Sequence, residues 1–335
     1  MRRVLWPVLT GLGVFFIVIA LMFWFVVPGQ VVKAPLNEYT VSTVQGTGLS
    51  YFSAAQLQEL SGVTMRGTET VEGDVAAAKA SGSDVAVWKA FTALEDVTNH
   101  QPFQYSSQSL AFDRKTGVLV NCCGEFIDSN HHPHVSAQGY LWPFNAQKRN
   151  YQVFSTTVLK PVTFRYVGTA TTDGVPTYRF SSQVSNQQIG TQTLPASLLG
   201  MSGGEVTLPE FFTGTTTYWV DPVTGAPLQA LESQRITLQD STGATRLVLL
   251  DGTLASTAAS VRNGIATDKS YRTKIQLVKV ILPIVAVIIG VIALAAGLVL
   301  SRSRTEDETA GHADDDEDGN KDEEEDHEES ADSPA

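Results

Sequence analysis

Residues 280–300 read VILPIVAVIIGVIALAAGLVL, 21 positions from Val280 to Leu300 without one charge. In a helix rising 1.5 Å per residue, roughly 20 apolar residues cross a hydrocarbon layer of about 30 Å. A core helix of this length would need apolar partners on every side, because none of its faces is polar. The stretch is read as a membrane span, with Pro283 near its start at most kinking it.

A second run of the same kind lies near the other end. No charge occurs from Val4 to Val32, and Leu5 to Val27 reads LWPVLTGLGVFFIVIALMFWFVV. Pro7 falls in the first turn, where a missing N–H costs little, and Trp24 sits where an interfacial aromatic belongs. A cleaved signal peptide would have a shorter apolar core and a small-residue cleavage site after it, so an uncleaved anchor is favoured. Arg2 and Arg3 precede the first span, and Arg302 and Arg304 follow the second. The positive-inside rule then places both termini in the cytoplasm and residues 28–265 outside it. Lys269, Arg272, Lys274 and Lys279 pull the other way, and are read as a basic juxtamembrane helix over 266–279 that meets anionic headgroups.

Charge is segregated. The chain carries a net −12, while Ser301–Ala335 holds 16 acids against three bases, a net of −13; the other 300 residues sum to about +1. The low isoelectric point is therefore a property of the tail. After Arg304 the tail has no Leu, Ile, Val, Phe, Tyr or Trp, so residues 301–335 are expected to be a disordered acidic cytoplasmic segment, a solvated spacer or a docking strip for a basic partner. No basic patch with interleaved aromatics points to nucleic acid.

The middle reads as strands, rich in Thr, Val, Tyr, Phe, Gln and Gly, with few windows of helical period. Phe164–Ala170 and Val175–Ser182 flank Asp173-Gly174, a dipeptide suited to a tight hairpin. A turn of the form D-x-x-T-G occurs twice, at Asp113–Gly117 and Asp221–Gly225, each between strand-like segments. In each, Asp can cap turn amides while Gly supplies positive φ; the repetition hints at a duplicated sheet. Helices are expected only at Ala54–Leu60 and from about Ile265 into the second span. The expected fold is mainly β: an antiparallel β-rich extracytoplasmic domain between two transmembrane helices.

Chemistry-bearing residues are few. Cys122 and Cys123 are adjacent, and in an oxidising compartment a vicinal disulfide pinning a turn is favoured over free thiols or a metal or redox role. His131, His132 and His134 follow closely after Asp128, but match no strong metal spacing, so a solvated histidine loop is favoured over zinc or copper. Gly200-Met201-Ser202-Gly203-Gly204 fits G-x-S-x-G literally. Strand-like residues follow it, and the histidines beyond Ser202 lie in the tail, so it reads as a glycine-rich loop. No phosphate loop or dinucleotide fingerprint is present, and neither an enzyme nor a bound cofactor is expected.

Arg2-Arg3 before a span, Lys33-Ala34-Pro35-Leu36, Val87-Trp88, Phe112-Asp113-Arg114, Asn121-Cys122-Cys123-Gly124, Pro143-Phe144 with Lys148 and Tyr151, Tyr178-Arg179-Phe180, Ser197-Leu198-Leu199-Gly200 and the second span together carry a resemblance. Over about residues 1–300 the chain resembles an actinobacterial family of PorA-type porins. The resemblance implies channel formation in an outer envelope. The residues themselves put the apolar mass in two uncharged helices and leave the strands Thr- and Gln-rich, which suits an anchored domain better than a lipid-facing barrel. The expected function is an envelope protein whose domain binds or passes an apolar, lipid-like ligand. A channel and a scaffold that recruits a partner through the tail stand as alternatives.

Overall fold

The computed structural model describes residues 2–128 and 132–313. It divides into two units: Gly29–Ile275, and the helical segments on either side of it in sequence.

The larger unit is built on eleven antiparallel strands: β1 (Tyr39–Ser53), β2 (Gln58–Gly73), β3 (Val85–Asp96), β4 (Gln101–Asp113), β5 (Phe126–Ile127), β6 (Tyr151–Ser155), β7 (Lys160–Thr172), β8 (Val175–Pro195), β9 (Glu205–Val220), β10 (Pro227–Gln239) and β11 (Thr245–Ser256). Their order is β5-β4-β3-β2-β1-β11-β10-β9-β8-β7-β6. Two meanders thus meet at the β1/β11 pair, where Tyr51 lies opposite Leu250. The hairpin read from Asp173-Gly174 is present: Thr172 pairs with Val175, and the two turn residues have φ of 44° and 81°. Both central positions of such a turn need positive φ, which Asp and Gly tolerate.

The sheet curls because its long strands are bulged. Register shifts occur in β1 between Gln45 and Ser50 and in β8 between Val184 and Gln187. Gly48 and Asn186, within these shifts, have φ of 75° and 45°. Extra residues of this kind bend a strand and raise its twist. At one end the two edges are stitched together: Leu119 N donates to Ala137 O (2.9 Å), Gln138 N to Gln152 O (2.8 Å) and Phe154 N to Gln138 O (2.9 Å). This end also carries both D-x-x-T-G turns and is called the turn end below.

The two turns are built alike. Asp113 Oδ1 accepts from Lys115 N and Thr116 N, and Asp221 Oδ1 from Val223 N. Gly117 N and Gly225 N each donate to the carbonyl of their own Asp at 2.8 Å. A strap over residues 141–146 runs across both: Phe144 N donates to Lys115 O, Trp142 N to Gly225 O and Ala146 N to Pro222 O. The strap explains the glycines, since a Cβ on Gly117 or Gly225 would lie 2.4 Å from Leu141 O or 2.0 Å from Trp142 O.

Two helical expectations change. Ala54–Leu60 is the tip of the β1–β2 hairpin, with strand resuming at Gln58, because cross-strand pairing such as Ser53 with Gln58 overrides local propensity. Two short helices, α2 (Val27–Val31) and α3 (Val75–Ser81), lie outside the expectations from sequence; Asp74 caps α3 by accepting from Ala77 N at 2.9 Å.

The second unit pairs α1 (Arg2–Phe25) with a C-terminal helix. In sequence the helical run is uninterrupted from α4 (Ala258–Gln276), which falls almost wholly in the larger unit, through a π-turn (Leu277–Ile281) to α5 (Leu282–Ala313) in this one. It therefore begins before Ile265 and continues past Leu300, and the acidic tail beyond Ala313 lies outside the described residues. Within this unit α1 and α5 pack antiparallel through small residues. A Cβ on Gly13 would meet the Leu294 side chain at 2.5 Å, one on Gly290 the Gly13 carbonyl at 3.0 Å, and one on Gly297 Thr10 Oγ1 at 2.5 Å. Such contacts let helix backbones approach where hydrophobic burial gives no net drive. The other faces stay apolar and exposed, from Leu5 and Phe15 to Ile292 and Leu298. Both helices are long and apolar enough to cross a membrane.

Candidate functional site

The concave side of the curled sheet is layered. Because alternate residues of a strand share a face, the buried Val63 and Met65 fix which side of β2 points inward, and Ile236 and Leu238 do so for β10. Away from the turn end, the interior is an apolar layer of Leu49, Tyr51, Met65, Phe212, Leu238, Leu250 and their neighbours. At the turn end it is aromatic: Trp88, Phe112 and Tyr140 form one group, and Trp142, Phe164, Phe180 and Tyr218 another.

Between them lies a polar waist. One row crosses four strands as Ser42, Glu69, Thr92 and Ser106, each paired with the next. The opposing row is Ser182, Thr216 and Glu232. Glu69, Thr92, Ser106, Thr216, Tyr218, Glu232 and Gln234 point inward yet keep intermediate exposure. Side chains that face inward and keep intermediate exposure leave the waist accessible to solvent.

Electrostatics ties the waist together. Burial, with the negative charge of Glu69 added to it, pushes the Glu232 carboxyl up to about 7, while Tyr218 opposes this by donating to it. Tyr218 Oη lies 3.5 Å from Glu232 Oε1. Burial alone raises Glu69, which has no hydrogen bond or ion pair among the described residues. Burial and the Glu69 charge raise Tyr140, and burial followed by the Glu232 and Glu69 charges raises Tyr218. The Glu69 charge thus acts on groups from both aromatic sets. Among the described residues no base offsets the shifts of Glu69 and Glu232, and the waist side chains named above are acids, hydroxyls and an amide.

The residues singled out from sequence lie elsewhere. Cys122 and Cys123 are disulfide-bonded, so of the readings left open the vicinal disulfide is the one present. Asn121, Cys123 and Gly124 all have positive φ, and the sulfurs pack against Ala78, Val87 and Ala111. His132 Nδ1 lies 2.5 Å from Glu125 O, and His134 Nδ1 3.5 Å from Glu125 Oε1. His131 lies outside the described residues. Among the described residues no group of three or more His, Cys, Asp or Glu is placed to hold a metal. Ser202 is exposed in the loop between β8 and β9, after a single 3-10 turn at Ala196–Leu199. The waist acids escaped sequence reading because they differ from other Thr- and Glu-bearing strand positions only in which face they take. Their phase relative to Met65 and Leu238 was the available signal.

Compared with known proteins, the chain matches no curated sequence. The family model described as Porin PorA matches residues 7–299, which takes in most of both apolar helices and the whole sheet. With that match and its two apolar helices, this membrane protein belongs to the porin PorA family.

Proposed function

We propose that the curled sheet is a binding module, carried on a two-helix membrane anchor of the cell envelope, for an amphipathic lipid-like molecule. Its chain would lie along the apolar layer and its polar group at the waist. The observation that carries this reading is the solvent-accessible waist: Glu69, Thr92, Thr216, Tyr218 and Glu232 face inward and remain partly accessible beside a continuous apolar layer. Val44, Leu94, Phe103, Val184, Ile189 and Met201 border that layer and are themselves only partly buried, so an alkyl chain could cover them. Ligand sites are typically concave and apolar with a few placed polar groups, and perturbed acids mark them.

The family's description as a porin raises a channel as the alternative. A membrane barrel needs an apolar outer band about 25 Å tall. Here outward positions include Arg66, Thr68, Thr70 and Glu72 on β2, Thr213, Thr215 and Thr217 on β9, and Ser233 and Arg235 on β10. Such a face favours water. In this reading the sheet stands outside the cytoplasm and both termini inside it, as Arg2, Arg3, Arg302 and Arg304 favour.

The test is binding of a fluorescent apolar probe, anilinonaphthalene sulfonate, to the full chain in detergent, with displacement by a lysolipid. Displaceable binding that Thr92→Trp abolishes, in a variant that keeps its circular dichroism, is the expected result. Equal binding by Thr92→Trp and the parent chain would refute an interior site.

A further inference from the structure

The second D-x-x-T-G turn holds a pair of acids that geometry cannot satisfy without a proton. Asp221 is fully buried and Asp268, on α4, is 3% exposed. Both Asp221 oxygens are in use: Oδ1 accepts from Val223 N at 2.7 Å and Oδ2 from Arg272 Nη1 at 3.0 Å. Asp268 Oδ1 accepts from the Thr224 hydroxyl at 2.5 Å. Its Oδ2 is buried and receives no hydrogen bond, although the side chain lies within hydrogen-bonding reach of Asp221. Two carboxylates facing one guanidinium would leave a buried negative charge unbalanced. A carboxylic acid at Asp268 removes both difficulties, since its O–H is the missing donor and the trio becomes neutral.

We propose that Asp221 and Asp268 share one proton, and that this proton latches α4 onto the second turn, the latch loosening when the proton is lost. Burial, then the hydrogen bond to Asp221, push Asp268 up to about 7, so occupancy changes near neutrality. The sign follows: below about 7 the acid form holds the latch, and above it two anions repel around a single Arg272. Arg272 is the cation facing the pair and lies on α4 itself; the sheet side contributes Asp221, Thr224 and the turn amides. Glu38 is the next acid along, accepting from Tyr271 at 3.3 Å. The first turn shows what is distinctive. There Thr116 donates to its own Asp113 at 2.8 Å, and the nearby acid, Asp84, pairs with Lys115 and not with that Thr or Asp. Apolar packing of Ile265 against Val175 and Leu228 remains when the latch opens, so the change is local. The chain runs on helically from α4 into the apolar stretch, so the switch sits on the segment that joins sheet and span.

The test is hydrogen–deuterium exchange of the full chain in detergent at pH 6 and pH 8.5, corrected for chemical exchange, with carbonyl-13C aspartate infrared spectra in parallel. The amides of residues 223–226 and 262–272 should exchange about tenfold faster at the higher pH. A protonated aspartate band should be present at pH 6 and lost by pH 8.5. Asp268→Asn, whose amide donates to Asp221 at any pH, should keep slow exchange at both and lack the band. A parent chain without the pH step, or a step that persists in Asp268→Asn, overturns the latch. Should that variant not fold, the aspartate band in the parent chain decides: no protonated aspartate at pH 6 overturns it.

Discussion

Replacing Glu232 by Gln is the most informative perturbation of the waist. The Glu232 carboxyl is pushed up to about 7 in the folded chain against an ordinary 4.5, because its half-buried, inward position hydrates the anion poorly and the Glu69 charge opposes it. A raised acid favours the protonated folded state, so ionisation costs stability. The cost is absent well below 4.5, grows between 4.5 and 7, and is complete above 7. A difference of roughly 2.5 units at about 1.4 kcal/mol each amounts to about 3 kcal/mol at pH 8.5 and under about 0.5 kcal/mol at pH 4.5. Glutamine keeps the shape and can still accept from Tyr218 while removing that cost. For a domain of this size, about 3 kcal/mol moves Tm by roughly 6–12 °C. Thermal melts of both chains in detergent at pH 4.5 and 8.5 provide the assay. Glu232→Gln should melt several degrees higher at pH 8.5 and coincide with the parent at pH 4.5. An equal offset at both pH values would refute the buried, charge-coupled waist.

Three other substitutions test the frame. Tyr51→Phe removes a buried hydrogen bond to Asp96 Oδ2 at 3.0 Å, and should cost about 1.5–3 kcal/mol in chemical denaturation while leaving the fold intact. Gly225→Ala places a Cβ 2.0 Å from Trp142 O at a φ of 76°, and should cost about 2–4 kcal/mol; Gly243→Ala, at a φ of 82° in open space, should cost only about 1 kcal/mol by the same assay. Gly290→Leu should separate α1 from α5, read as loss of disulfide crosslinking between Thr10→Cys and Gly297→Cys, which face each other in the parent hairpin.

The membrane helices and the β class were legible because their signals are local. An uncharged run such as Val280–Leu300 and a turn such as Asp173-Gly174 each decide their own structure. The limits of the helix that carries the second span were not, because it continues through Lys279 and Ser301 with no proline or glycine there to stop it. Ala54–Leu60 misled for the opposite reason: composition allowed a helix, and pairing of Ser53 with Gln58 across the hairpin forbade it. The adjacent cysteines drew attention by rarity, whereas Glu69 and Glu232 are 163 positions apart and become neighbours only once β1 and β11 pair. Asp268 was equally silent, since its partner lies in a turn 47 residues earlier and its protonation depends on burial.

If the inside of the curled sheet holds an amphipathic molecule, that molecule should travel with the purified protein. Native mass spectrometry of the full chain purified from membranes in mild detergent tests it most directly. One lipid-like adduct per chain is expected in the parent protein, and none in folded Thr92→Trp. An adduct-free parent that also refuses added lysolipid, or an adduct retained unchanged in Thr92→Trp, would contradict it.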